Sequence, residues 1–482
     1  MMRLRRCPRT SISFSGGNPM DPLDYRLGFV CARRSQALEN QQRFSNWNRI
    51  LTDHHKFFVH PQANVRTLTD VAGRTVVVIG DIFVAHGTRQ LDELLLLLAS
   101  GDRVVTDDIS GRFAVFVLDG LSATVLNDPL GSQSVFYTLG SDSIVSSHAS
   151  LLAAVVGRRR ASSLVNYMQS EGYRARNTRF MPGDLTLYDG IVHLVPNNEL
   201  RMDTGMTSRY WPRQAVEPET FEGLLEVWTD YFRNYSRLLQ ATYEPVVGLT
   251  GGLDSRTVIA TLRSFGVQPR YVTWDMGSDE AARIPGLVSH LDARHDWIEL
   301  SASKVGQEYE PMRDIAREAT HYTRGRPVLP SLMAELAGTR DVFVKGLGGE
   351  VMRGPWNSGQ LSWLPEGPEK MMYRLYAGKA VPAHDEAYQS TTMEAIRGFI
   401  SRANYSENLH GCDVGDLVYW EQRMGNWTSV QHAEMAVAMQ SHSAMNSRRM
   451  FQAAWGLPEA ERFSPDLLPR IMRLFDPELE RL

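Results

Sequence analysis

The sequence predicts a two-part fold, α/β plus α+β: an N-terminal antiparallel two-sheet domain, then a parallel-sheet domain whose C-terminal part is helical. Three observations predict it. Short apolar runs follow one another through the first two hundred residues, separated by turn-forming pairs, which is the pattern of antiparallel strands stacked in two layers. At Glu219 the spacing of apolar residues changes to steps of three and four, marking an amphipathic helix. Beyond it, strand-like and helix-like stretches alternate, as they do in a parallel sheet covered on both faces. A chain of 482 residues is also too long for one compact domain. The expected division is a disordered tail over 1–20, a first domain over 21–212 and a second over 213–482.

In the first domain Thr75–Ile79 reads as a buried strand closed by Gly80-Asp81. Arg112–Leu118 is another, closed by the hairpin pair Asp119-Gly120, with Ala123–Leu126 pairing back across that turn. Ser134–Leu139 and Ser143–Ser146 follow, and Leu185–Tyr188 and Asn198–Met202 continue the pattern. Helical stretches fall at Leu91–Ala99 and Ser163–Glu171. Tyr210 to Pro218 reads as a linker. Phe221, Leu224, Leu225, Trp228, Phe232, Tyr235 and Leu239 then line one face of a long helix, for which Glu217-Pro218 suits the start. In the second domain strands are expected at Pro245–Leu249, Tyr271–Trp274, Trp297–Leu300 and Val342–Lys345. The intervening helices are Thr257–Phe265, Glu280–Leu291, Val305–His321 and Ser331–Ala337. Residues 360–482 read as mostly helical.

Composition excludes several classes. Net charge is −4, so no global field recruits nucleic acid or an anionic membrane. The cysteines are Cys7, Cys31 and Cys412, with neither a CxxC pair nor zinc spacing. Sparse cysteine points to a reducing, cytoplasmic compartment. The apolar run Leu94–Ala99 is far too short to cross a bilayer. The opening MMRLRRCPR lacks the apolar stretch of a secretory signal. It reads as a basic arm or as a disordered tail ahead of a second start at Met20.

The sharpest chemical signal is Val246-Val247-Gly248-Leu249-Thr250-Gly251-Gly252-Leu253-Asp254-Ser255-Arg256. An apolar strand runs into two glycines, then Asp-Ser, then a helix. Glycines let backbone N–H groups close on an anion, and the helix N-terminus adds its dipole. The hydroxyls of Thr250 and Ser255 can donate to phosphate oxygens, and Asp254 offers a hard oxygen ligand for Mg2+. The loop is not the lysine-bearing P-loop. Thr-Gly-Gly-Leu-Asp-Ser resembles the Ser-Gly-Gly-x-Asp-Ser loop of the N-type ATP pyrophosphatases, with threonine keeping the first hydroxyl. Further on, Lys345-Gly346-Leu347-Gly348-Gly349-Glu350 resembles the Gly-x-Gly-x-Asp loop of asparagine-synthetase-like enzymes, with Glu350 where aspartate is usual. In that family the strand end at Thr273, Trp274 and Asp275 lies beside the adenosine.

The N-terminal half extends the resemblance. Gly111-Arg112-Phe113-Ala114 to Asp119, then Asn127-Asp128, Gly131, Phe136-Tyr137, Gly190-Ile191 and Val195-Pro196, is similar to the class II glutamine-amidotransferase domain of asparagine synthetases. The similarity runs from about Leu27 to Arg353. It implies an Ntn-hydrolase-like domain followed by a PP-loop, adenine-nucleotide α-hydrolase-like domain. The family's glutaminase needs an N-terminal cysteine whose own amine is the base. Here Cys31 is internal and reads as a buried strand residue. Loss of that cysteine is seen in β-lactam synthetases and lasso-peptide macrolactam synthetases, which join a carboxylate to an amine.

The resemblance implies an ATP-dependent carbon–nitrogen ligase that adenylates a small-molecule or peptide carboxylate for attack by an amine or ammonia, without hydrolysing glutamine. ATP would lie on Leu249, Thr250, Gly251, Gly252, Leu253, Asp254, Ser255, Arg256, Thr273, Trp274, Gly346 and Gly348, with Mg2+ on Asp254 and Glu350. The family takes a charge-stabilising lysine from its C-terminal helices, but this chain has no lysine after Lys379. Lys345, Arg448 and Arg449 are the candidate substitutes. Glu421 and Arg423, with Trp427, face either the acyl pocket or a core salt bridge. Other expectations are a non-catalytic nucleotide-binding partner in a biosynthetic complex, or adenylation of a nucleotide. A partner protein or a homodimer remains open.

Overall fold

The computed structural model describes residues 24–176, 179–274, 282–298, 310–323, 337–354 and 385–482. The tail at 1–20, Asp275, the helix expected at Ser331–Ala337 up to its last residue, and Lys379 lie outside them. The protein is mixed α/β, with two antiparallel sheets, one parallel sheet and helices.

The first antiparallel sheet contains β1 (Phe29–Arg33), β2 (Asn48–Leu51), β3 (His55–Val59), β8 (Phe136–Thr138), β9 (Val145–Ser146) and β10 (Ile191–His193), in the order β10-β8-β9-β1-β3-β2. The second contains β4 (Val65–Thr69), β5 (Thr75–Val84), β6 (Ile109–Asp119), β7 (Ser122–Asn127), β11 (Asn198–Arg201) and β12 (Met206–Arg209), in the order β12-β11-β7-β6-β5-β4. The two layers share a core. Phe29 and Phe57 from one sheet both meet Phe116 of the other edge to face, with ring centroids 5.5 and 5.1 Å apart. Alternation dictates this, because Phe29 and Cys31 point to the same face of β1 and both are fully buried.

Two expectations change here. Gly80-Asp81 does not close a strand; β5 runs on to Val84. Gly80 passes so near β6 that an added Cβ would lie 2.2 Å from the Arg112 carbonyl oxygen, and a strand glycine marks just such an approach. Leu185–Tyr188 forms isolated bridges to Val192 and Arg160 rather than a strand. The helix Leu91–Ala99 is as expected.

After the linker, Thr220 accepts a hydrogen bond from Gly223 N and caps the helix Phe221–Thr242. The parallel sheet follows: β13 (Glu244–Gly248), β14 (Arg270–Trp274), β15 (His295–Ile298), β16 (Asp341–Lys345) and β17 (Gln440–Ser443). Its order is β15-β14-β13-β16-β17 and every pairing is parallel. The chain therefore winds outward from β13 in one direction, then returns to place β16 on β13's other side. Ligands of such sheets bind where the winding reverses, beyond the carboxyl ends of the strands. Here that crevice lies between β13 and β16. β17 was not expected, because Gln-Ser-His-Ser has no apolar pattern. No helix among the described residues is long and apolar enough to cross a membrane.

The sandwich is bound to the parallel-sheet part by polar groups. Asp81 on β5 is buried and accepts from His442 Nε2 at 2.7 Å, Gln440 Nε2 at 2.8 Å and Tyr243 Oη at 2.6 Å on one oxygen. Asn64 Nδ2 donates to the other oxygen at 2.6 Å. Burial pushes this carboxyl up, but His442 and the other donors outweigh it and hold it well below its ordinary range. Asn446 reaches back to donate to Gly111 O at 2.6 Å and Asp128 Oδ1 at 2.9 Å.

Candidate active site

The loop after β13 turns directly into a helix at Leu253, four residues before the apolar pattern places it. Asp254 and Ser255 thus belong to the first helical turn, where backbone N–H groups lack intrahelical partners. The Thr250 and Ser255 hydroxyls lie 2.7 Å apart, and Gly252 N donates to Thr250 Oγ1 at 3.1 Å. These bonds brace the loop around its glycines.

The loop after β16 interlocks with it. A Cβ on Gly346 would lie 2.8 Å from Ser255 N, and one on Gly349 would lie 2.2 Å from Asp254 Oδ1. Only hydrogen fits at either place. Gly348 has φ +113°, which favours glycine, and opens the short helix Gly349–Arg353. That helix carries Glu350 and Arg353 toward Asp254. Arg353 Nη2 donates to both Asp254 oxygens, at 2.7 and 2.8 Å. Burial pushes the Asp254 carboxyl above its ordinary range against the pull of Arg353. Burial, and then the charge of Asp254, push Glu350 up as well. Glu350 Oε2 is sealed from solvent with no hydrogen-bond partner. Arg353 thus answers Asp254, while Glu350 keeps an oxygen with no bonded partner.

Those atoms fit a hard divalent cation. No cluster of three or more His, Cys, Asp or Glu among the described residues is placed to hold a metal. An ion here would rest on Asp254 and Glu350, with phosphate oxygens and water completing its shell, as Mg2+ commonly does.

The remaining expected residues divide. Leu249 is buried; its carbonyl accepts from Thr273 Oγ1 at 2.8 Å, and Thr273 Oγ1 lies 2.9 Å from His295 Nε2. Trp274 packs over Gly248 and Phe343 at the strand ends. Lys345 Nζ contacts Gln431 Oε1 at 3.2 Å. Three candidate cations and the candidate acid are directed elsewhere. Arg256 is buried and donates to Leu479 O at 3.1 Å, tying its helix to the C-terminal helices. Arg448 is buried against the sandwich, donating to Asn197 Oδ1, Thr106 O and Tyr210 Oη. Arg449 pairs with Asp108. Glu421 is fully buried and takes a two-pronged ion pair from Arg209 Nη1 and Nη2, at 2.6 and 2.9 Å, which commits both its oxygens to β12.

Among the described residues, Arg353 is bonded to Asp254, and the charges of Arg353 and then Arg423 pull Glu350 down. Arg353 was not singled out from the sequence, although Glu350-x-x-Arg353 is the i, i+3 spacing that puts both on one helix face. Arg423 lies in a π-helical segment, Tyr419–Met424, a form that clusters at functional sites. Its charge acts on Glu350 and Tyr419. Cys31 lies in mid-strand, and burial pushes its thiol well up, which leaves it unreactive.

No protein-family model matches the chain, and no curated protein matches it. Among solved structures it aligns with NMN synthetase from Francisella tularensis at 12% identity, over 45% of this chain and 96% of that one, TM-score 0.21. It aligns with glutamine phosphoribosylpyrophosphate amidotransferase from B. subtilis, complexed with ADP and GMP, at 11% identity, over 69% and 73%, TM-score 0.22. A glutamine-dependent NAD+ synthetase from Acinetobacter baumannii, in complex with ADP, aligns at 12% identity over 52% and 61%, TM-score 0.22. Overlap this loose fixes neither fold family nor activity, and the site is read from its own geometry.

Proposed function

We propose that the protein is an ATP-dependent carbon–nitrogen ligase. It transfers AMP to a substrate carboxylate with release of pyrophosphate, and an amine or ammonia then attacks the acyl carbon and expels AMP. The observation that carries this reading is the meeting of Asp254 and Glu350 from two loops at the sheet's winding reversal, next to the N-terminus of the helix that opens at Leu253. A triphosphate laid along that N-terminus would be met by backbone N–H groups of the first turn and by the Thr250 and Ser255 hydroxyls. Mg2+ held by Asp254 and Glu350 would supply charge to the departing pyrophosphate. Arg353, bonded to Asp254, would neutralise charge on the transferring group. The buried, mid-strand Cys31 supports an amine or ammonia donor in place of glutamine.

The test is pyrophosphate release across a panel of carboxylic acids, with ATP binding measured in parallel. Asp254→Ala is expected to abolish release while the thermal melt stays cooperative. Glu350→Gln keeps the size and removes the charge, so ATP binding should persist while release drops sharply. A wild-type protein that binds ATP and releases no pyrophosphate with any acid would instead favour a nucleotide-binding partner without catalysis.

A further inference from the structure

The helix Gly349–Arg353 has five residues, too few to hold itself in water. It nevertheless carries Glu350 and Arg353, and Arg353 must reach both oxygens of Asp254. What holds the helix can be read from its carbonyls, since each needs a donor. Gly349 O accepts from Arg353 Nε at 3.3 Å, and Glu350 O accepts from Gly354 N at 3.1 Å. The next two carbonyls are answered from far along the chain. Trp455 Nε1 donates to Val351 O at 2.8 Å, and Arg462 Nε donates to Met352 O at 2.9 Å. Val351 directly follows Glu350, and Met352 directly precedes Arg353.

The two donors are themselves fixed. Trp455 ends the helix Arg448–Trp455, and its ring meets those of Trp211 and Trp420 with centroids 5.7 and 5.8 Å away. Arg462 is buried and pairs with the buried Asp416 at 2.6 Å. Its Cζ lies 5.3 Å from the Trp455 ring centroid, so the two donors also touch each other. A cation at a helix C-terminus offsets the partial negative charge there. The chain leaves the helix against the same ion pair. Gly354 has φ +56°, and a Cβ there would lie 2.9 Å from Asp416 Oδ1 and 3.0 Å from Arg462 Nη2. Neither Trp455 nor Arg462 is hydrogen-bonded to Asp254 or Glu350 among the described residues, so any effect on that pair runs through the backbone of the short helix.

We propose that Trp455 and Arg462, the latter braced by Asp416, are positioning residues: they clamp the helix Gly349–Arg353 from its C-terminal side and so set where Glu350 and Arg353 stand relative to Asp254. The proposal rests on reading Asp254 and Glu350 as a metal site, but its test needs no turnover. The first measurement is amide hydrogen exchange over residues 346–354. It should quicken by about tenfold in Trp455→Phe, which keeps a ring and loses the N–H, and in Arg462→Gln, with Arg462→Lys in between. Arg270→Gln breaks the Arg270–Asp341 pair at the opposite ends of β14 and β16 and should leave that exchange unchanged. The second measurement is Mn2+ affinity, read in Arg353→Met so that only the placement of Glu350 counts. Adding Arg462→Gln there should weaken Mn2+ by about tenfold, and it should have no further effect once Glu350→Gln is also present. Unchanged exchange in both clamp variants would overturn the proposal. So would quicker exchange with unchanged Mn2+ affinity, or a Mn2+ loss of the same size with and without Glu350. Quicker exchange while no variant binds Mn2+ would uphold the clamp and strike the metal reading instead.

Discussion

Arg353 Nη2 spans both carboxylate oxygens of Asp254, at 2.7 and 2.8 Å, and so joins the loop after β13 to the loop after β16. A guanidinium in that position competes with a metal ion for the same lone pairs and repels it by charge. Arg353→Met should therefore bind Mn2+ more tightly than wild type when no nucleotide is present, by about tenfold. Electron paramagnetic resonance of free Mn2+ reads the affinity directly. Pyrophosphate release should fall in the same variant, since its cation is gone from the transferring phosphate. Unchanged Mn2+ affinity would mean that Arg353 and the metal occupy separate ground.

Gly349→Ala places a methyl group where Asp254 Oδ1 now lies. The backbone there is helical and tolerates alanine, so the fold should hold. The carboxylate must swing away, and pyrophosphate release should drop by at least about tenfold. A thermal melt beside the activity assay separates the two effects; a variant as active as wild type would show that the loops part without consequence.

Glu421 and Arg209 form an ion pair in which both side chains are almost fully buried. Removing one partner leaves the other charge stranded, so Glu421→Ala should lower stability by about 3–5 kcal/mol in urea unfolding. The folded fraction should still bind ATP normally. A selective loss of acyl transfer with unchanged stability would return Glu421 to the substrate pocket.

His321 lies edge-on to Phe136, ring centroids 5.4 Å apart, with His193 on another side of the same ring. Burial, then the His193 charge, pushes His321 down to about 3. In the unfolded chain it titrates near about 6.5. The neutral ring thus favours the folded state fully above the unfolded value, and that contribution is lost as pH falls from about 6.5 toward 3, at up to about 1.4 kcal/mol per pH unit. His321→Phe should remove this share of the acid limb. Relative to wild type, the variant should gain about 2 kcal/mol on going from pH 8 to pH 5. Parallel unfolding curves at the two pH values would show that His321 is not held neutral.

The architecture was legible where burial imposes a period. Thr75–Ile79, Arg112–Leu118 and Tyr271–Trp274 alternate or run apolar because both faces meet a core, and each lies in a strand. The loop at Thr250–Arg256 was legible as a strand–helix junction because an apolar run ends in two glycines there. What the pattern concealed is tertiary. β17, Gln-Ser-His-Ser, is held by its neighbours and by Asp81, and nothing local marks it as a strand. Arg448 and Arg449 stand beside a plausible cap, but Asn197, Thr106 and Asp108, far off in sequence, claim their side chains. Arg353 went unmarked because its value comes from Asp254, 99 residues earlier.

Asp81 and His442 are 361 residues apart, and that separation has a consequence for synthesis. At about 5–20 residues per second, translation of the intervening chain takes roughly 20–70 s. Once β12 has been made at Arg209, the N-terminal sandwich carries a carboxylate on β5 whose ligands from β17 have still to be made. The Asn446 amide that satisfies Asp128 and Gly111 is still later to emerge. The nascent sandwich therefore exposes a polar, half-completed face to the ribosome surface and to chaperones, and it closes only when a peptide strand of four residues, Gln440–Ser443, arrives to finish it.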